Sequence, residues 1–217
     1  MREYSYSEYW EKCWNSENLD ELLKYLSGWN GSRSEEIDIL KNYGVKNVCD
    51  VACGFGAHTL ALLSNGFTVE ASDISPKAVE LTTAGLKEFG YGDVKVRIAG
   101  ILDTGYEDES FDAVTAYSVV DHLTRKDAEK AIRELMRIAK KGGLVLLSFD
   151  TPQNEDFSTP HKTLEDGSLL YEDGMIFHPY EDDEINDLMK EYCVIYHKTN
   201  QKGNRIYIVG SDPVNKM

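Results

Sequence analysis

The chain has 217 residues, 41% of them hydrophobic, with 23 Lys and Arg against 38 Asp and Glu and a formal net charge of -15. That length suits one well-buried α/β domain with decorations and is short for two domains with separate cores. The acidity excludes broad attraction to a polyanion, which disfavours nucleic acid as a partner.

No apolar run approaches the roughly 18 residues of a membrane helix, and the N-terminus, Met-Arg-Glu-Tyr-Ser-Tyr, lacks the apolar core of a signal peptide. Cys13, Cys49, Cys53 and Cys193 have neither paired CxxC spacing nor a secretory framework. A soluble, cytoplasmic protein with reduced thiols and no membrane partner is expected. His58, His122, His161, His178 and His197 lack ligand spacing, so no metal site is expected.

The first forty residues read as helices. Tyr6, Tyr9, Trp10, Cys13 and Trp14 share one face, and Leu19, Leu22, Leu23 and Leu26 repeat the pattern up to Gly28. A third helix is predicted from Ser34 or Glu35 to Tyr43. Strand and helix then alternate: strand 45–51, helix 57–64, strand 67–72, helix 75–89 opened by Ser75-Pro76, strand 94–99, strand 111–118, helix 127–140 capped by Thr124, and strand 144–149. Such alternation predicts a mostly parallel sheet covered by helices on both faces.

Asp166-Gly167 and Asp173-Gly174 bracket a predicted hairpin in the irregular segment before Pro179. Following the fifth strand, it falls over the carboxyl ends of the strands, as a substrate lid would. Ile185, Leu188, Met189 and Tyr192 mark a last helix, and strands 193–199 and 205–209 are joined closely enough for an antiparallel hairpin. The expected organisation is a single domain over 1–217: helical cap 1–44, core 45–150, insertion 151–179, terminal helix and hairpin 180–210.

The chemistry centres on Asp50-Val-Ala-Cys-Gly-Phe-Gly-Ala-His58, a glycine turn between a strand and a helix. Glycine at 54 and 56 lets backbone N–H groups approach a ligand at the positive end of a helix dipole. About 17 residues past Gly56 the next strand ends in Asp73, where a βαβ nucleotide site holds its ribose hydroxyls.

In these residues the chain resembles the class I S-adenosylmethionine-dependent methyltransferases, whose first motif reads acid-x-Gly-x-Gly-x-Gly. Asp50, Gly54 and Gly56 match, and Ala52 replaces the first glycine. The resemblance implies a Rossmann-like seven-stranded methyltransferase sheet, mostly parallel with the last strand antiparallel, and S-adenosyl-L-methionine as cofactor. It implies that Asp50 meets the cofactor's amino group, that Asp73 accepts both ribose hydroxyls, and that Ile74, Ile101 and Leu102 wall the adenine. Gly100 stands where members often carry an acid for the adenine amino group, which leaves Asp103 or a backbone carbonyl as substitute. Tyr117 and Ser118 fall near the sulfonium end, and an arginine such as Arg33 holds the methionine carboxylate in some relatives.

Asp121-His122 sits where members commonly place a polar pair facing the acceptor, with His122 as base and Asp121 orienting it. Trp10, Trp14, His161 and His178 are candidates to contact the substrate. The function implied is direct methyl transfer to a small-molecule acceptor. Two other readings stay open: an NAD(P)-dependent oxidoreductase, against which stands Thr59 where a dinucleotide site has its third glycine, and a non-catalytic S-adenosylmethionine-binding or partner module. The acceptor's identity and a possible homodimer are also open.

Overall fold

The computed structural model describes residues 4–28, 34–151 and 159–213. Its centre is a seven-stranded sheet in the order β3-β2-β1-β4-β5-β10-β9. The strands are β1 (Asn47–Val51), β2 (Thr68–Asp73), β3 (Val96–Ile98), β4 (Phe111–Ala116), β5 (Ala139–Phe149), β9 (Tyr192–Thr199) and β10 (Arg205–Pro213). β1, β2, β3, β4 and β5 pair in parallel, whereas β10 runs antiparallel to both β5 and β9. The single reversed strand is thus inserted beside β5, as the short 200–204 connection requires.

Three helices precede the sheet: α1 (Tyr6–Asn15), α2 (Leu19–Gly28) and α3 (Glu35–Asn42). α4 (Ala57–Ser64), α5 (Pro76–Glu88), α6 (Arg125–Ile138) and α7 (Asp182–Met189) follow. The starts of α5, α6 and α7 are set by side-chain caps that satisfy otherwise orphaned N–H groups: Ser75 accepts from Ala78 N, Thr124 from Asp127 N, and Glu181 with Glu184 forms a capping box.

Alternation along the strands divides the core between two faces. Val48 packs with Ile37, Leu40 and Leu62 of α3 and α4, while Cys49 and Val51 pack with Ala128, Ile132 and Leu135 of α6 and Ile185 of α7.

Four expectations need correction. β5 starts at Ala139, not 144, because Gly142 (φ 71°) and Gly143 let the chain pair early, with a register shift against β4 between Phe111 and Ala113. α6 starts two residues earlier, directly on its Thr124 cap. β4 ends at Ala116, so Tyr117 and Ser118 lie beyond it, and Ser118 takes a left-handed φ of 49°. The insertion is a three-stranded antiparallel sheet, β6 (Lys162–Thr163), β7 (Leu169–Leu170) and β8 (Ile176–Phe177), in place of one hairpin.

That small sheet is docked onto the body. His178 N donates to Asp121 O at 2.7 Å, Arg125 N to Asp166 Oδ2 at 2.8 Å, and Tyr171, Met175 and Phe177 pack with Tyr9 of α1. No described helix is long and apolar enough to cross a membrane.

Candidate active site

The carboxyl ends of β1, β2 and β4 lie side by side, with Val51 level with Ser72 and Asp50 level with Thr115. The turn after β1 leaves the sheet through three left-handed residues, Ala52 (φ 58°), Gly54 (φ 57°) and Gly56 (φ 85°). Ala52, the departure from the glycine pattern, therefore occupies a conformation that costs an L-residue about 1–2 kcal/mol. Such strain is held at functional turns when the surroundings over-determine it.

The glycines have different tasks. A Cβ on Gly54 would come within 2.9 Å of the Trp14 ring, so Gly54 admits the indole. A Cβ on Gly56 would meet Thr82 Cγ2 at 2.8 Å, so Gly56 caps α4 and admits α5. Gly56 lines neither cavity described below.

Asp73 ends β2 with its carboxylate fixed by backbone: Gly54 N donates to Oδ2 and Ser75 N to Oδ1, each at 2.9 Å. Burial nevertheless pushes its pKa up to about 6, more than these donors offset. A buried carboxylate of this kind gains from further donors, as two ribose hydroxyls would supply. Asp50 is held by side chains, Thr59 Oγ1 donating to Oδ2 at 2.6 Å and Thr115 Oγ1 to Oδ1 at 2.8 Å.

Two cavities open around this turn. The smaller, about 130 Å³, has Asp73 at its polar end and Ile74, Ile101, Leu102 and Val119 among its walls, an apolar slot suited to a flat ring. Gly100 lines it too, whereas Asp103 is exposed and lines neither cavity. The larger, about 720 Å³, holds Asp50, Glu36, His58, Tyr117, His122 and Asp150. Trp10, Trp14, Ala52, Gly54 and Ser118 line both, so the cavities meet at the glycine turn beneath α1.

α1 buries none of its own residues fully and is tied across the site. Glu11 accepts from Ser75 Oγ at 2.5 Å and Lys77 N at 3.1 Å, at the mouth of α5. Tyr6 OH donates to Asp127 Oδ2 at 2.9 Å and accepts from Thr124 N at 3.1 Å, at the mouth of α6. The tryptophans predicted for the substrate are thereby placed over the junction, with the Trp10 ring edge-on to His122 at 5.0 Å.

His122 lies in a short 3-10 turn, Val120–His122. Its Nδ1 is 3.3 Å from the Ile176 carbonyl oxygen, which can only accept, so Nδ1 is the donor and Nε2 keeps the basic lone pair. Strand β8 of the insertion thus orients His122, a role expected of Asp121.

Asp121 makes no hydrogen bond to His122 and lines neither cavity. Its Oδ2 accepts from Asp150 N, its Oδ1 has no partner among the described residues, and burial raises its pKa to about 6. His178 is also structural, with Nδ1 2.9 Å from Ser168 Oγ and Nε2 3.1 Å from Glu184 Oε1, and it joins the insertion to α7. His161 is exposed and lines neither cavity. Arg33 lies outside the described residues.

Sequence reasoning missed Glu36, His58 and Asp150. His58 sits within the glycine motif and could have been flagged by it. Its ring is tilted against that of Tyr117 with centroids 4.0 Å apart, its Nε2 is buried without a partner among the described residues, and burial lowers its pKa. Burial likewise drives the Tyr117 phenol well above its usual range. Glu36 was indistinguishable from Glu35 as an acid of a first helical turn. Among the described residues no group of His, Cys, Asp and Glu could hold a metal ion.

Comparison with known proteins agrees with this geometry. Residues 49–147 match the family model described as a methyltransferase domain. A ubiquinone biosynthesis O-methyltransferase of Paracidovorax citrulli is 28% identical over 66% of this chain and 58% of its own length. A demethylmenaquinone methyltransferase of Clavibacter sepedonicus is 33% identical over 49% of this chain and 42% of its own. The chain thus spans about half the length of these curated relatives. The fold is shared with a Burkholderia thailandensis 1,6-didemethyltoxoflavin-N1-methyltransferase solved with its substrate and S-adenosylhomocysteine, at a TM-score of 0.68 and 13% identity over 95% of this chain and 89% of that one.

The fold and the glycine turn agree with the match of residues 49–147 to a methyltransferase domain. Nothing in the comparisons supports the dinucleotide-dependent alternative.

Proposed function

We propose that the chain transfers the sulfonium methyl group of S-adenosylmethionine to a small-molecule acceptor, and that its four segments act as one catalytic unit in the cytoplasm. Four free cysteines, Cys49 and Cys53 buried among them, suit a reducing compartment. The observation that carries the reading is the joining of two unlike cavities at the glycine turn, one shaped for a nucleoside and one large, aromatic and polar.

The donor, when bound, supplies an electrophilic methyl group on sulfur. The chain's own residues do the rest. Asp73 holds the hydroxyl end, Ile74, Ile101 and Leu102 wall the ring, and Asp50 faces the amino group. Trp10 and Trp14 close the junction and exclude water, so that alignment provides most of the acceleration. His122 Nε2 accepts a proton where the acceptor has one to lose.

The test is thermal denaturation with added ligand, since a ligand that binds only the native state raises Tm. S-adenosylhomocysteine is expected to raise Tm and NAD to leave it unchanged. A rise with NAD alone would overturn the reading. Incubation with methyl-labelled S-adenosylmethionine and a panel of small amines, phenols and thiols then separates an enzyme from a silent binder.

A further inference from the structure

The larger cavity is negatively charged. Glu36, Asp50 and Asp150 line it, while no lysine or arginine among the described residues does. Asp50 has both oxygens engaged by Thr59 and Thr115, and Asp150 Oδ1 accepts from Asn204 Nδ2 at 2.7 Å. Glu36 differs from both. It is only 4% exposed, faces the cavity from the first turn of α3, and has no hydrogen-bond or salt-bridge partner among the described residues.

Its carboxylate is thus available to a ligand in the cavity, and a cation is the partner that best compensates a charge held away from bulk water. Burial disfavours the charged form of His58, and the His122 Nδ1 is turned to the Ile176 carbonyl and away from Glu36 in its hydrogen bonding. The aromatic walls add faces that attract cations, from Trp10 and Trp14 of α1, Phe55 of the turn and Tyr25 of α2.

We propose that the methyl acceptor is an amine, recognised as a cation by Glu36 with Asp150, and that the bond formed is N–CH3. This rests on the methyltransferase reading and names the acceptor class for the same site. The charge change of the reaction gives the argument its direction. An ammonium first passes one proton to His122 Nε2. The nitrogen lone pair then attacks the methyl carbon as the S–CH3 bond breaks, its electron pair staying on sulfur. The positive charge moves from sulfur to nitrogen, and the product is again an ammonium beside Glu36.

Carboxylates and aromatic faces stabilise the charge growing on nitrogen, which is the transition-state interaction that accelerates the step. A phenolate or carboxylate acceptor would start as an anion and be repelled by the same three acids. Glu36 is therefore a specificity residue for amines.

The test uses benzyltrimethylammonium, a cation that cannot be methylated further, with phenylacetate as the anionic probe of similar size. Both are titrated calorimetrically into the protein saturated with S-adenosylhomocysteine. The expected result is binding of the cation, no binding of phenylacetate, and at least tenfold weaker cation binding in Glu36→Gln with S-adenosylhomocysteine affinity unchanged. If Glu36→Gln does not fold, Asp150→Asn gives the same comparison from another element.

Phenylacetate binding as tightly as the cation would overturn the proposal, as would a cation affinity indifferent to both substitutions. Loss of S-adenosylhomocysteine in Glu36→Gln would assign the carboxylate to the cofactor instead, overturning the amine proposal alone. A wild-type protein that does not bind S-adenosylhomocysteine would sink the methyltransferase reading itself.

Discussion

The two cavities that meet under α1 are made in opposite ways. The smaller takes its floor from turns that follow adjacent parallel strands, Ala52 and Gly54 after β1, Asp73 and Ile74 at the end of β2, Ala99 to Leu102 after β3, with Asp73 fixed by backbone N–H groups and the α1 side chains Tyr6, Trp10 and Trp14 also lining it. The larger draws side chains from α1, α3, α4, the loop after β4, the insertion and β10, from Tyr9 to Ile206. A site made by backbone keeps its ligand through side-chain change. A site made by distant side chains is free to change its ligand.

Substitutions that separate the halves should therefore separate the two ligands. The largest effect is expected at His122, which belongs to the acceptor half alone. His122→Gln should lower turnover by about 10²–10⁴-fold, the usual worth of a positioned base, while S-adenosylhomocysteine affinity stays at the wild-type value. An equal loss of both, read by steady-state kinetics beside calorimetry, would break the division.

Next comes the buried Asp121, which braces the loop between the halves. Its folded-state pKa of about 6 exceeds the unfolded value of 3.8, so the native state retains a proton that the unfolded chain has lost between those values. Its contribution to stability is full below about pH 4 and lost as pH rises through about 6, a change of about 3 kcal/mol for a shift of this size. Asp121→Asn should remove that fall, so urea melts at pH 4 and pH 7 should differ less favourably for acid pH in the variant than in the wild type. An identical pH dependence would show that Asp121 titrates normally.

At the glycine turn the effects are smaller. Gly54→Ala places a Cβ against the Trp14 ring at a φ of 57° and should cost about 1–2 kcal/mol in thermal melts, weakening cofactor binding as the indole shifts. Ala52→Gly goes the other way: it relieves the left-handed strain at 52, and the greater freedom of the unfolded chain offsets part of the gain, leaving a net stabilisation of about 1 kcal/mol or less. A destabilised Ala52→Gly would mean that the methyl group packs to more purpose than the backbone strain costs.

The same contrast governs what could be read from the chain. Period-two and helical patterns, with Ser75-Pro76 and Thr124 as caps, were enough for the sheet and its reversed strand, because those signals are local. Asp73 and the glycines were legible for the same reason, their spacing being set by one βαβ unit. The acceptor half was not. That Ile176 and not Asp121 orients His122 depends on how the insertion docks, and His178 proves structural through Ser168 and Glu184, partners 10 and 6 residues away that no motif marks. Glu36 looked like any acid at a helix start, and only burial beside a cavity distinguishes it from Glu35.

The most direct test of the account is calorimetric titration of S-adenosylhomocysteine into wild type and Asp73→Ala between pH 5.5 and pH 8. Ribose hydroxyls donate to the ionised carboxylate, and the free protein's Asp73 has a pKa of about 6. Wild-type affinity should thus be level above about pH 7 and fall below pH 6, tending to about tenfold per unit. Asp73→Ala should bind about 100-fold more weakly with no such pH dependence, the loss expected for charge-assisted hydrogen bonds. Full affinity in Asp73→Ala, or no binding to wild type at any pH, would contradict the cofactor site on which everything else is built.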